Sequence, residues 1–244
     1  MGAFRDQVAV VTGASAGIGR GIALGLAAQA AAVVLVGRDA ARLEDTAARA
    51  RATSPHVVGH RADLAVDADI DALAARVAGE VGGVDILVHA AGVIDYGAVA
   101  GAPAAGLDAH YRTNLRAPYA LTQALLPMLR ARRGQVVFVN SSLGLATRAG
   151  AGQYAATKHA LRALADTLRD EVNADGVRVT SVYPGRTASP RQAELHALEG
   201  RPYRPERLAQ PEDVAAIVIA ALGVARTAEI TDIRIRPMLK ETAP

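Results

Sequence analysis

The chain contains no cysteine. That excludes disulfides, thiolate catalysis and cysteine-ligated zinc, and it fits a reducing, cytoplasmic setting. Aromatic residues are scarce, at 3%. The core must therefore be built from Val, Leu, Ile and Ala, and few rings are available for stacking on bases. Neither sign of charge dominates. The formal net charge is +3 and the arginines are dispersed, which argues against a nucleic-acid partner. No uninterrupted apolar run has the length of a membrane span. The stretch 22–36 is broken by Gln29 and closes at Arg38, so it reads as a helix followed by a strand. The segment from Met1 to Asp6 does not read as a signal peptide, and Asp6 defeats the myristoylation pattern. No Pro/Ser/Gly-rich linker or repeat divides the 244 residues, so they read as one domain, 1–244.

What is present is an alternation. Strand-like apolar runs fall at 8–12, 32–36, 57–60, 84–89, 136–140, 177–183 and 229–235. Helical stretches fall near 18–29, 39–53, 67–81, 104–132, 152–174 and 211–222. Near-continuous apolar strands separated by helices predict an α/β fold: a parallel sheet of about seven strands with helices on both faces. Ligands on such sheets bind beyond the carboxyl ends of the strands. Thr12, Arg38, Asp63, His89, Ser141 and Pro184 all fall at those ends.

Two motifs carry chemistry. The first is Gly13-Ala-Ser15-Ala-Gly17-Ile18-Gly19 between a strand and a helix. Glycines let the backbone approach a pyrophosphate, and a helix N-terminus offers free N–H groups to it. The spacing is G-xxx-G-x-G rather than the common G-x-G-x-x-G. The second is Tyr154-Ala-Ala-Thr-Lys158, one helical turn apart, 13 residues after Ser141. An ammonium beside a phenol is expected to lower the phenol's pKa, and a serine nearby would hold a carbonyl oxygen. This is equipment for reducing a ketone or aldehyde, given a hydride source.

Together, Thr12-Gly13-xxx-Gly17-x-Gly19, Asn114, Ser141 and Tyr154-xxx-Lys158 resemble the short-chain dehydrogenase/reductase family, from Val8 to about Pro237. The resemblance implies a Rossmann-type doubly wound sheet. It implies a catalytic set of Asn114, Ser141, Tyr154 and Lys158, with the Asn114 backbone carbonyl holding a water that passes protons toward Lys158. From the residues alone, Asn114 reads as a helix kink or polar packing. Ser141 rather than Ser142 fits the family's Ser-x-x-Gly. Asp63 and Leu64 would meet adenine, although Asp63 also reads as a helix N-cap. Ala91 and Gly92 would approach the ribose, with His89 and Ala90 standing where the family has two asparagines. His89 reads as a brace. Pro184, Gly185, Thr187 and Ser189 would face the nicotinamide side and the phosphates. Family members often carry a helix-closing glycine near Ala30, where alanine would cost about 1 kcal/mol if left-handed.

Cofactor choice turns on Gly37-Arg38-Asp39. Arg38, with Ser15, suits a 2′-phosphate and favours NADP(H). Asp39 turned inward would favour NAD(H), and Arg38 paired with Asp39 or Glu44 would be a surface arginine. The stretch 190–208 reads as a substrate lid, with arginines 191, 201, 204 and 207, and the 93–103 loop with Tyr96 as the opposite wall. His56 and His60 share a strand face without completing a metal site. The expected partners are a small carbonyl or alcohol substrate and further copies of the chain, in a homodimer or homotetramer through 104–132 and 152–174. No membrane partner is expected. Two rival readings are an NAD-linked alcohol dehydrogenase working oxidatively and a nucleotide-binding regulatory protein without turnover.

Overall fold

Among the described residues, seven short runs form strands; the inner ones are rich in valine and isoleucine, since branched side chains suit a pleated surface buried on both faces, while the two edge runs stay partly exposed. The strands are β1 Val8–Thr12, β2 Ala32–Gly37, β3 Val57–Arg61, β4 Ile86–His89, β5 Gln135–Val139, β6 Arg178–Pro184 and β7 Asp232–Ile235. They lie in the order β3-β2-β1-β4-β5-β6-β7, every pairing parallel. The computed structural model describes residues 4–29 and 32–239. Ala30 and residues 1–3, on which the readings of the helix end and of the N-terminus fall, lie outside the described residues.

The described residues form eight α-helices: α1 Gly17–Ala28, α2 Ala40–Arg51, α3 Asp67–Val81, α4 Ala104–Tyr111, α5 Ala117–Arg132, α6 Gly152–Val172, α7 Pro190–Leu198 and α8 Pro211–Leu222. Period-two alternation divides the inner strands between two cores. Ala9 and Val11 pack with Ile22 and Leu26 of α1, Leu43 of α2 and Val214 of α8. Val10 packs on the other face with Leu73 of α3, Leu121 of α5 and Leu161 of α6. The strand order reverses direction between β1 and β4, which opens a crevice at their carboxyl ends. Among the described residues, no helix is long and apolar enough to cross a membrane.

Two expectations are corrected and one helix is added. The single helix expected over 104–132 is interrupted by a π-helical turn, Arg112–Arg116, with the Ala117 N–H bonded to the Arg112 carbonyl. Pro118 supplies the reason: it has no N–H, so the carbonyl four residues back, that of Asn114, lacks its α-helical partner. The lid stretch contains a true helix, α7. Ser189 caps it by accepting from the Gln192 N–H at 3.1 Å, and Pro190 occupies the first turn. The last strand begins later than expected, at Asp232, because the Glu229 side chain accepts the Val179 N–H at 2.8 Å in place of a ladder bond.

Candidate active site at the carboxyl edge of the sheet

The turn between β1 and α1 passes so close to the end of β4 that only glycine fits. A Cβ on Gly13 would stand 2.7 Å from the Ala90 carbonyl carbon, and one on Gly19 would stand 2.4 Å from the Gly13 oxygen. Gly13 and Gly17 also have φ of 67° and 54°, in the left-handed region. The Thr12 hydroxyl fixes this approach. It donates to the Val88 carbonyl at 3.2 Å and accepts from the Ala90 and Ala91 N–H groups at 3.1 and 3.2 Å. Sequence reading placed Thr12 at a strand end but missed this brace.

Two further braces stand where the paired asparagines are missing. His89 lies beneath the cleft, stacked on Phe138 at 5.0 Å with its Nε2 2.8 Å from the Thr122 hydroxyl. Burial pulls it down to about 3, so it is neutral and structural. Asn114 is fully buried. Its side chain accepts from the Val93 N–H at 2.8 Å and donates to the Val93 carbonyl at 2.9 Å and to Thr157. It stands behind the cleft wall, where Thr113 is the residue that lines it.

A cleft of about 1100 Å³ runs along this edge. It brings together Gly13, Ser15, Gly17, Ile18 and Gly19 at the first turn, with Arg38, Asp63 and Leu64 at the ends of β2 and β3. Ala91 and Gly92 follow at the middle. Ser141, Tyr154 and Lys158 lie beyond, facing Pro184, Gly185, Thr187 and Ser189. Of the sequence-predicted site residues, only Asn114 is absent from the lining.

The cleft fits a dinucleotide on its own geometry. The α1 N-terminus has no side-chain cap and no acidic residue in its first turn, so its N–H groups are left for an anion. A Cβ on Gly17 would project between the turn and Ser189, whose Cβ is 3.8 Å from that position. At the outer end the Asp39 carboxylate is committed to its own helix. It accepts the Arg42 N–H at 3.0 Å and pairs with the Arg42 guanidinium at 3.3 Å. Glu44 pairs with Arg51. Among the described residues no carboxylate pairs with Arg38, which is exposed at the cleft. Arg42 also lines the cleft, a residue the sequence reading missed. Asp63 does not cap α3, whose N-cap is Val66; it accepts the Ala65 N–H at 3.0 Å in a tight turn.

At the inner end, Ser141 follows β5 and begins a short 3-10 turn, its hydroxyl accepting the Leu143 N–H at 3.1 Å. The buried Asn140 carboxamide ties this turn to α6, accepting from the Ser141 N–H at 2.9 Å and donating to the Lys158 carbonyl at 3.0 Å. A Cβ on Gly144 would stand 2.4 Å from Asn140 Oδ1, which gives the Ser-x-x-Gly spacing its physical reason. Tyr154 and Lys158 share one face of α6. Lys158 Nζ donates to the Val139 carbonyl at 3.0 Å and lies 5.7 Å from the Tyr154 ring centre.

The expectation that Lys158 lowers the phenol is not met in this cleft. Burial pushes Tyr154 up to about 12, the nearby Ser141 hydroxyl opposes that, and the Tyr96 phenol adds to it. Burial pulls Lys158 down to about 8. Loss of water is the largest cause of both shifts. Ser142 also lines the cleft, yet the hydroxyl that acts on the Tyr154 phenol, lowering its pKa, is that of Ser141.

The α7 side of the cleft is closed by ion pairs. Arg191 of α7 donates to the Ile94 carbonyl at 3.1 Å and pairs with Asp95, and with Glu194 at 2.6 Å. Glu199, just past α7, takes Arg148 and Arg186 at 2.6 Å each, and Arg148 stacks 4.4 Å from the Tyr96 ring centre. Tyr96 therefore stands on the wall where it was expected. Among the described residues no cluster of His, Cys, Asp and Glu is placed to hold a metal. His60 instead contacts Glu80 at 2.8 Å, and His56 precedes β3.

Residues 7–199 match the family described as short chain dehydrogenase. An uncharacterized oxidoreductase of Staphylococcus epidermidis is 31% identical over 98% of this chain and 100% of its own. An alcohol dehydrogenase of the archaeon Thermococcus sibiricus, complexed with 5-hydroxy-NADP, superposes with a TM-score of 0.88 at 26% identity, over 98% of this chain and 99% of that one. The L-sorbose reductase of Gluconobacter frateurii, complexed with NADPH and L-sorbose, gives 0.85 at 27% identity, over 96% and 97%.

Proposed function

Because the chain belongs to the short-chain dehydrogenase family, we propose that it reduces a ketone or aldehyde to an alcohol, or runs the same step in reverse. NADP(H) is the preferred cofactor and Tyr154 the general acid and base. One observation carries the reading: a single cleft runs from the free N–H groups of α1 to Ser141, Tyr154 and Lys158. When bound, the cofactor supplies the hydride, or accepts it in the reverse direction. Ser141 holds the substrate oxygen and stabilises the charge that develops there. Tyr154, a protonated phenol at neutral pH, gives its proton to that oxygen. Lys158, kept in place by the Val139 carbonyl, offsets the phenolate left behind. Asn114 presents its carbonyl, freed from α-helical bonding by Pro118, as the entry for the replacement proton.

The preference for NADP rests on Arg38 without a carboxylate partner and on Asp39 turned to its own helix. The NADP-type cofactors held by both structural neighbours support it. The protein acts in the cytoplasm on a small molecule, as a homodimer or homotetramer. Leu107, Tyr111 and Tyr119 of α4 and α5, which stay exposed, suit that association. The test is a panel of ketones and aldehydes with NADPH, followed by the loss of nicotinamide absorbance. Oxidation with at least one class of carbonyl is expected. Tight NADPH binding with no oxidation across the panel would favour a regulatory protein instead.

A further inference from the structure

His110 stands in the last turn of α4, 1% exposed, and nothing in its own neighbourhood of the sequence marks it. Its ring meets the Tyr154 ring edge to face, centres 6.0 Å apart and planes at 66°. Nδ1 is 2.6 Å from the Gly106 carbonyl, and Nε2 is 3.0 Å from the Asp95 backbone nitrogen. A carbonyl can only accept and an amide N–H can only donate. The proton therefore belongs on Nδ1, and Nε2 must be bare: one neutral tautomer satisfies both partners.

The position of Asp95 gives this ring a consequence. Ile94, Asp95 and Tyr96 form the substrate-side wall of the cleft. The Asp95 carboxylate and the Ile94 carbonyl hold Arg191 of α7. His110 thus touches the phenol on one side and the backbone of the wall on the other, and through that wall it reaches the lid. An apolar side chain of similar size would fill the space but leave the Asp95 N–H without its acceptor.

We propose that His110 is a positioning residue that fixes the substrate-side wall, residues 94–96, in register with Tyr154 and thereby sets substrate affinity. The part about affinity rests on the carbonyl-reductase reading; the part about the wall does not. Two variants separate the bond from the volume. His110→Leu keeps bulk and removes the acceptor. His110→Gln reaches the same depth and retains an oxygen for the Asp95 N–H.

Amide hydrogen exchange of the cofactor-free proteins reads the wall without any turnover. In His110→Leu, exchange at Asp95 is expected to rise about tenfold with α6 unchanged, and His110→Gln is expected to return it toward wild type. With a carbonyl from the panel, KM is expected to rise about tenfold in His110→Leu, with kcat and NADPH affinity within about threefold and recovery in His110→Gln. In the wild type, ring 15N shifts should report the Nδ1–H tautomer whether or not either variant folds. Unchanged exchange at Asp95 in His110→Leu, an unchanged KM, or an Nε2–H tautomer in the wild type would each overturn the proposal. A protein that reduces no carbonyl would defeat the proposed reaction, while hydrogen exchange and the tautomer would still decide whether His110 holds the wall.

Discussion

Where β1 runs into α1, the cleft is walled by backbone. Gly13 and Gly19 leave no room for side chains, Gly17 is held at a left-handed φ, and a buried hydroxyl, that of Thr12, pins the turn to β4. Where α7 lies against the 93–103 loop, the wall is made of partly exposed ions: Arg191 on Asp95 and Glu194, and Arg148 and Arg186 on Glu199. The first end cannot change without rebuilding the centre of the sheet. The second is held by pairs that individually contribute little in water. On the proposed reading, that asymmetry gives a rigid half to the dinucleotide and a loosely latched half to the substrate.

The largest effect should come from filling the rigid end. Gly19→Val places a side chain against the Gly13 carbonyl, a backbone atom with nowhere to go. NADPH affinity is expected to fall at least about a hundredfold, measured by fluorescence titration, because the turn itself must open. Retained affinity would show that the turn is softer than the comparison requires.

Lys158, at the join of the two ends, should show what the site gives up in stability. Its folded pKa lies below its ordinary value of 10.5. Above pH 10.5 the amine is neutral in both states and costs nothing. As pH falls toward about 8 the unfolded chain protonates first and stability is lost, and below about 8 the loss is complete. Lys158→Met is therefore expected to stabilise the cofactor-free protein at pH 7 by up to about 3 kcal/mol in urea unfolding, with the gain gone by pH 10.5. A loss of stability at pH 7 would mean that the Val139 contact outweighs desolvation.

Arg38→Asp tests the outer rim of the rigid end. The ratio of NADP to NAD affinity is expected to fall by about ten- to a hundredfold, since a charge-assisted contact becomes a repulsion. Glu199→Gln should do least. Burial opposes ionisation of Glu199, but its bonds to Arg148 and Arg186 outweigh this and hold the carboxyl below its ordinary value. The latch therefore holds above the ordinary carboxylate range and is lost as pH falls through the depressed value. The variant is expected to lose less than about 1 kcal/mol of global stability at neutral pH, while exchange at α7 amides quickens.

The asymmetry also explains what could be read from the residues in order. Strands, glycine turn and the Tyr154–Lys158 pair were legible because each is a local pattern with one geometric meaning. The interruption at Arg112–Arg116 left a readable trace, Pro118, whose missing N–H has a definite effect four residues back. Helix α7 was signalled by Ser189-Pro190, a cap followed by a first-turn proline, within the stretch read only as a lid. His110 was not legible, since its partners Asp95 and Tyr154 meet it only through the fold. Nor was the raised phenol: spacing put an ammonium beside Tyr154, but burial depends on everything packed above it.

The central claim is that Tyr154 hands a proton to a substrate oxygen held by Ser141. Single-turnover oxidation of bound NADPH by Tyr154→Phe, compared with wild type on the same carbonyl, tests it most directly. The rate is expected to fall by about 10²–10⁴ with NADPH affinity within about threefold. A variant that oxidises NADPH within about threefold of the wild-type rate would contradict the account.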